Sequence, residues 1–165
     1  MAVLNPGESA PDFSLPAMDG KTFWLKEALA CGPVVAVFFK ISCPICQYAL
    51  PFLERIHQAY GVRGARIIGI SQNESKETAL FLETLGITFG VLLDDTEAYP
   101  VSNAYGLTNV PTTFWIAQAG AIEISSVGWD RNDFEQINAK VAEAGRGGLM
   151  PIFHPGENVA AFRAG

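Results

Sequence analysis

Pro33-Val-Val-Ala-Val-Phe-Phe-Lys-Ile-Ser-Cys43-Pro-Ile-Cys46-Gln-Tyr-Ala-Leu-Pro-Phe-Leu-Glu-Arg-Ile56 falls into two halves with different periodicities. Val34 to Phe39 is an unbroken apolar run of β-branched and aromatic residues, the pattern of a strand buried on both faces. Lys40-Ile41-Ser42 interrupts it, and two cysteines follow, separated only by Pro44 and Ile45. Beyond them Tyr48, Phe52, Leu53 and Ile56 recur at helical spacing, so Cys43-x-x-Cys46 opens a helix. The first turn of a helix carries unpaired N–H groups and the positive end of the macrodipole, and both favour an anion. A thiolate at Cys43 is such an anion. Cys46 lies one turn deeper, placed to attack a mixed disulfide formed on Cys43.

Working outward, Phe13–Leu15 and Thr22–Leu25 read as two short strands around the turn dipeptide Asp19-Gly20. Lys26–Ala30 is a short helical turn ended by Gly32-Pro33, and Cys31 beside it reads as a small buried hydrophobe. After the cysteine helix, which runs to Tyr60, come a strand Arg66–Ile70, an amphipathic helix from Ser75 to Leu85 closed by Gly86, and a short strand Val91–Leu93. Asp94-Asp95-Thr96 is expected to cap a helix running toward Tyr105, with Pro100 kinking or restarting it. Thr113–Ala117 and Ile122–Val127 form a hairpin around Gly120. Asp130–Ala144 is the last helix, with Phe134, Ile137 and Val141 as its core stripe. Strands alternating with helices imply a parallel sheet with both faces covered, and the late hairpin adds an antiparallel edge.

The bulk numbers narrow the function classes. A chain of 165 residues is most simply one domain, and 49% hydrophobic content with 17% charged excludes a disordered one. The net charge of −6 argues against a nucleic-acid partner, which would need a basic stripe. Three cysteines make no disulfide framework, and one Cys-x-x-Cys with only His57 and His154 elsewhere is a poor zinc set, so no metal or cofactor is expected. No run reaches membrane-spanning length and no signal-peptide pattern opens the sequence. A cytoplasmic location is therefore expected, or a periplasmic one if a signal was removed.

Two further motifs join the cysteines: Asn109-Val110-Pro111-Thr112-Thr113-Phe114-Trp115-Ile116, and Pro6-Gly-Glu-Ser-Ala-Pro-Asp-Phe-Ser-Leu15. Together the three resemble the thioredoxin-fold superfamily, in the redoxin branch that holds AhpC/TSA peroxiredoxins and TlpA/ResA-like thiol–disulfide oxidoreductases. The resemblance implies an α/β fold, a thioredoxin-like three-layer α/β/α sandwich with an N-terminal β-hairpin and an inserted βα unit. It implies a redoxin domain over 1–144 and leaves 145–165 as a C-terminal extension. It further implies Cys43 as nucleophile, Cys46 as resolving thiol, and Val110 with Pro111 as the cis-proline loop that positions substrate. The expected activity is dithiol/disulfide exchange with a disulfide-containing protein or a small thiol, fed by a thioredoxin- or glutathione-type donor. A peroxiredoxin-like thiol peroxidase is the alternative.

The departures from the family pattern are specific. The acidic residue that thioredoxins carry under the site is replaced by Val37, and the glutamate that ResA-like members place three residues after the second cysteine is replaced by Ala49. The usual tryptophan before the first cysteine is Ser42. Lys40, three residues ahead of Cys43, stands where peroxiredoxins have Thr or Ser, and its charge favours a thiolate. The segment 145–165 is rich in Gly and Pro yet carries Met150, Ile152, Phe153, Val159 and Phe162, too many apolar residues for a flexible linker. Its Pro155-Gly156-Glu157…Phe162 echoes Pro6-Gly7-Glu8…Phe13. Burial of Phe153 and Phe162, against this domain or in a homodimer, is the expectation.

Overall fold

The computed structural model describes residues 2–165. Its frame is a five-stranded sheet in the order β5 (Gly90–Leu93), β4 (Arg66–Ser71), β3 (Val34–Phe39), β6 (Thr112–Ile116), β7 (Ile122–Val127), in which β3 is central. All six residues of β3 are buried, as an apolar run without alternation requires. It pairs in parallel with β4, which pairs in parallel with β5. On its other side β3 runs antiparallel to β6, which continues antiparallel into β7.

The alternation of β3 side chains divides the core. Val35, Val37 and Phe39 face α2 (Pro44–Tyr60) and α5 (Arg131–Ala144), joined by Phe81, Leu82 and Leu85 of α3 (Ser75–Leu85). Val34, Ala36 and Phe38 face the hairpin β1 (Ser14–Pro16)–β2 (Thr22–Trp24), α1 (Leu25–Cys31) and α4 (Pro100–Ala104). The result is the three-layer α/β/α sandwich with an added N-terminal hairpin.

Three expectations are corrected. The helix toward Tyr105 shrinks to Pro100–Ala104, because Tyr99 takes a left-handed φ of 49° and breaks the run. Asp94 is buried and caps this short helix, accepting from the Val101 and Ser102 N–H groups, while Asp95 caps the preceding turn through Glu97 and Ala98. Cys31 is exposed, not buried, since it ends α1 on the outside of the chain. Phe162 is 59% exposed, and its segment does not repeat the packing of its N-terminal counterpart.

Residues 145–165 nevertheless lie on the domain. Ile152 is 4% exposed and belongs to the core cluster of α2 and α5, and Phe153 meets the rings of Phe52 and Trp129. Arg55 of α2 clamps the segment, donating to the Ile152 carbonyl at 2.8 Å and to both carboxylate oxygens of Glu157 at 2.7 Å. Tyr60 and Asn138 hold the Met150 backbone. The segment ends in β9 (Phe162–Arg163), antiparallel to β8 (Trp129–Asp130).

Candidate active site

Cys43 sits at the carboxyl end of the central strand, where the loop after β3 turns into α2. That loop is framed by hydrogen bonds to its backbone: Cys43 N–H donates to the Lys40 carbonyl, Ile41 N–H to Asn73 Oδ1, and Gln47 Nε2 to the Ile41 carbonyl. Cys43 is the N-cap of α2, with extended φ and ψ of −89° and 114°, and Pro44 takes the first helical position. A serine or aspartate usually caps such a helix through oxygen; here sulfur does it. The Cys46 N–H donates to Cys43 Sγ at 3.1 Å, so an otherwise unpaired helix-end donor points at the sulfur.

The two thiols differ in access. Cys43 is partly exposed, whereas Cys46 has no exposed surface. Burial pushes the Cys46 thiol far up, and the neighbouring Cys43 adds to the effect. Among the described residues, none of the groups acting on that thiol is a carboxylate. This agrees with the sequence, because Val37 and Ala49 are fully buried members of the same apolar cluster as Cys46.

The loop before β6 forms the opposite wall. The Val110–Pro111 peptide bond is cis, and Cys43 Sγ donates to the Val110 carbonyl oxygen at 3.4 Å. Residues 67 positions apart thus meet because β3 and β6 are neighbours, with Phe38 opposite Thr112. The structure brings Cys43, Cys46, Val110 and Pro111 together. Lys40 is exposed at the edge, its ammonium 5.9 Å from the Tyr99 ring centre. Among the described residues no cluster of three metal-ligating side chains occurs, and no helix is long and apolar enough to cross a membrane.

Sequence reading missed the groups at the rim. Tyr48 lies one and a half turns along α2 from Cys43; its hydroxyl accepts the Ala160 N–H, and its ring carries the Arg163 guanidinium at 4.5 Å. Trp129 donates through Nε1 to the Ala160 carbonyl at 2.6 Å. Two-residue strands such as β8 and β9 leave no periodic signal, so nothing short of the fold reveals this contact.

A thioredoxin fold with Cys-x-x-Cys at the head of α2, facing a cis X–Pro loop, defines a redoxin of the thiol oxidoreductase class. The chain belongs to the AhpC/TSA family, whose profile matches residues 6–125. It is 32% identical over 122 residues to the thiol-disulfide oxidoreductase ResA of Halalkalibacterium halodurans, covering 73% of this chain and 68% of the relative. An assigned peroxiredoxin of Mycobacterium tuberculosis is 31% identical over 105 residues, covering 62% of this chain and 66% of the relative. Among solved structures, a thiol:disulfide interchange protein of the thioredoxin family from Chlorobium tepidum matches with a TM-score of 0.68 and 28% identity, covering 87% of this chain and 99% of that one.

Proposed function

We propose that the chain exchanges dithiol for disulfide through Cys43 and Cys46. The observation that carries this reading is the asymmetry of the pair: a partly exposed sulfur receiving a helix-end N–H at 3.1 Å, with a wholly buried thiol one turn behind. The Cys43 thiolate attacks one sulfur of a substrate disulfide; the substrate S–S bond breaks, and the leaving thiolate takes up a proton. Cys46 then gives up its proton and attacks Cys43 Sγ, expelling the second substrate thiolate and leaving a Cys43–Cys46 disulfide. Two electrons and two protons have passed to the substrate, and an external dithiol or thiol of the thioredoxin or glutathione type must return them. Val110 and Pro111 would position an extended substrate wherever their loop is free to pair with one. Lys40, exposed three residues ahead of Cys43, contributes at most a solvent-screened positive charge to the mouth of the site.

The test is a Cys46→Ser variant in a Cys31→Ser background, exposed to glutathione disulfide. The expected result is a stable adduct of one glutathionyl group on Cys43, located by peptide mapping. No adduct on Cys43 refutes the exchange mechanism.

Thiol peroxidase activity is the second reading, favoured by the peroxiredoxin relative. There Cys43 would be oxidised by hydrogen peroxide to the sulfenic acid, releasing water, and Cys46 would condense with it to the disulfide, releasing a second water. Lys40 in place of the expected hydroxyl residue removes a donor that would polarise the O–O bond. Peroxide consumption at rates matching or exceeding disulfide exchange would reverse this ranking.

A further inference from the structure

The exchange reading leaves open which disulfides reach Cys43, and the end of the extension bears on that. In a cis-proline site an extended polypeptide would pair with the backbone just before the proline, here Val110, as a strand pairs with a sheet edge. That place is filled. An ideal Cβ at Gly165 would lie 2.7 Å from the Val110 oxygen, the same oxygen that Cys43 Sγ contacts at 3.4 Å. Asn109 Nδ2 donates to the Gly165 carbonyl at 3.0 Å. A Cβ at Gly128 would come 2.4 Å from the Arg163 oxygen and 2.7 Å from the Gly165 nitrogen, so only glycine lets β9 pass so close. No second backbone fits between this segment and Val110.

Resting on that exchange reading, we propose that residues Phe162–Gly165 close the Val110 side of the Cys43 site to extended polypeptide, and so select small disulfides over disulfides in protein chains. Three independent contacts hold the segment there: the pairing of Arg163 with Trp129, the Arg163 guanidinium over Tyr48, and Asn109 on Gly165. Cys43 itself stays partly exposed, because the segment covers one wall of the site and leaves the Ser42–Pro44 side open. A small disulfide needs only that opening. A polypeptide substrate needs the wall.

Two variants test this. One deletes residues 162–165 and keeps the Arg55–Glu157 clamp and the Ala160 contacts with Trp129 and Tyr48. The other is Arg163→Pro in the full chain, since proline cannot donate to the strand pair and the segment should swing free. Circular dichroism checks that each remains folded. Each is assayed with insulin and with glutathione disulfide. The expected result is an insulin rate raised about tenfold or more, as when a site open a tenth of the time becomes fully open, with the glutathione disulfide rate changed less than about twofold. Insulin rates that stay level or fall in both variants, while the small disulfide reacts normally, overturn the gate and leave the exchange reading standing. Equal rises with both substrates also overturn it, since they would signal a loosened site and not selection. A wild-type protein that reacts with neither disulfide sinks the exchange chemistry and the gate together.

Discussion

Replacing Ile152 by alanine measures how firmly the extension is docked. The side chain is 4% exposed and sits in the cluster of α2 and α5, so the change removes three buried carbons, about 2.4 kcal/mol at ~0.8 kcal/mol each. A rigid core would add a cavity penalty and bring the loss toward the upper part of the ~2–5 kcal/mol range for such truncations. This segment can instead shift or release, which caps the loss at the free energy of docking. We therefore expect about 2–3 kcal/mol. For a chain of this size each kcal/mol lowers Tm by roughly 2–4 °C, so the fall should be roughly 4–12 °C in a thermal melt. Phe162→Ala is the internal control: at 59% exposure it should cost under about 0.5 kcal/mol and barely move Tm. Release also uncovers Trp129, so its emission should shift to the red in the Ile152 variant. An Ile152→Ala melt within 1 °C of wild type (~0.3–0.5 kcal/mol), or a Phe162→Ala loss as large as that of Ile152→Ala, would refute the docking argument.

Three other outcomes are expected. Arg55 and the His154 N–H hold the Glu157 carboxyl down at about 2. Because the folded value is depressed, the clamp is fully in place above the ordinary carboxylate range and weakens as pH falls from ~4.5 toward 2; limited proteolysis between residues 145 and 160 should quicken over that window in wild type and be fast already at pH 6 in Glu157→Gln. In the reduced protein, burial favours the protonated Cys46 thiol, so its share of stability is present below ~8.5 and is lost as pH rises. The denaturation midpoint should fall between pH 8.5 and 10.5, and less so in Cys46→Ala; identical slopes would count against it. Finally, in a Cys31→Ser background iodoacetamide should modify Cys43 at least ~100-fold faster than Cys46, which only denaturant should expose; Cys46 reacting first would reverse the roles.

The readable parts of the fold were those with a single strong local signal. Val34–Phe39 has no polar residue to place at a surface, Ser75–Leu85 ends on Gly86 in the left-handed conformation, and Asp130 caps α5 through the Asp133 N–H, so these elements lie where the pattern puts them. The cysteines and the Val110–Pro111 loop were legible as motifs. The α4 region was not, because Asp94 and Asp95 look like one cap and serve two turns, with Tyr99 dividing them. Cys31 reads as buried because a small thiol at a helix end is apolar by type, yet its position leaves it exposed. The contact of Gly165 with Val110 had no local signature, since glycine earns its place there only through what approaches it from β8 and the cis-proline loop.

The meeting of Cys43 and Val110 across 67 residues has a consequence for how the chain acquires its chemistry. The Cys43 N-cap and the first turn of α2 depend on neighbours in sequence, whereas the Val110 wall needs β3 to pair with β6 and β9 to close on β8. Local contacts form before distant pairings can offset the entropy of closing their loops. A chain emerging residue by residue therefore presents the capped Cys43 thiol while the Val110 wall and β9 are still unmade. On the exchange chemistry proposed above, a disulfide in a neighbouring nascent chain could react with it during that interval, and reducing conditions during refolding are expected to raise the yield of correctly assembled protein.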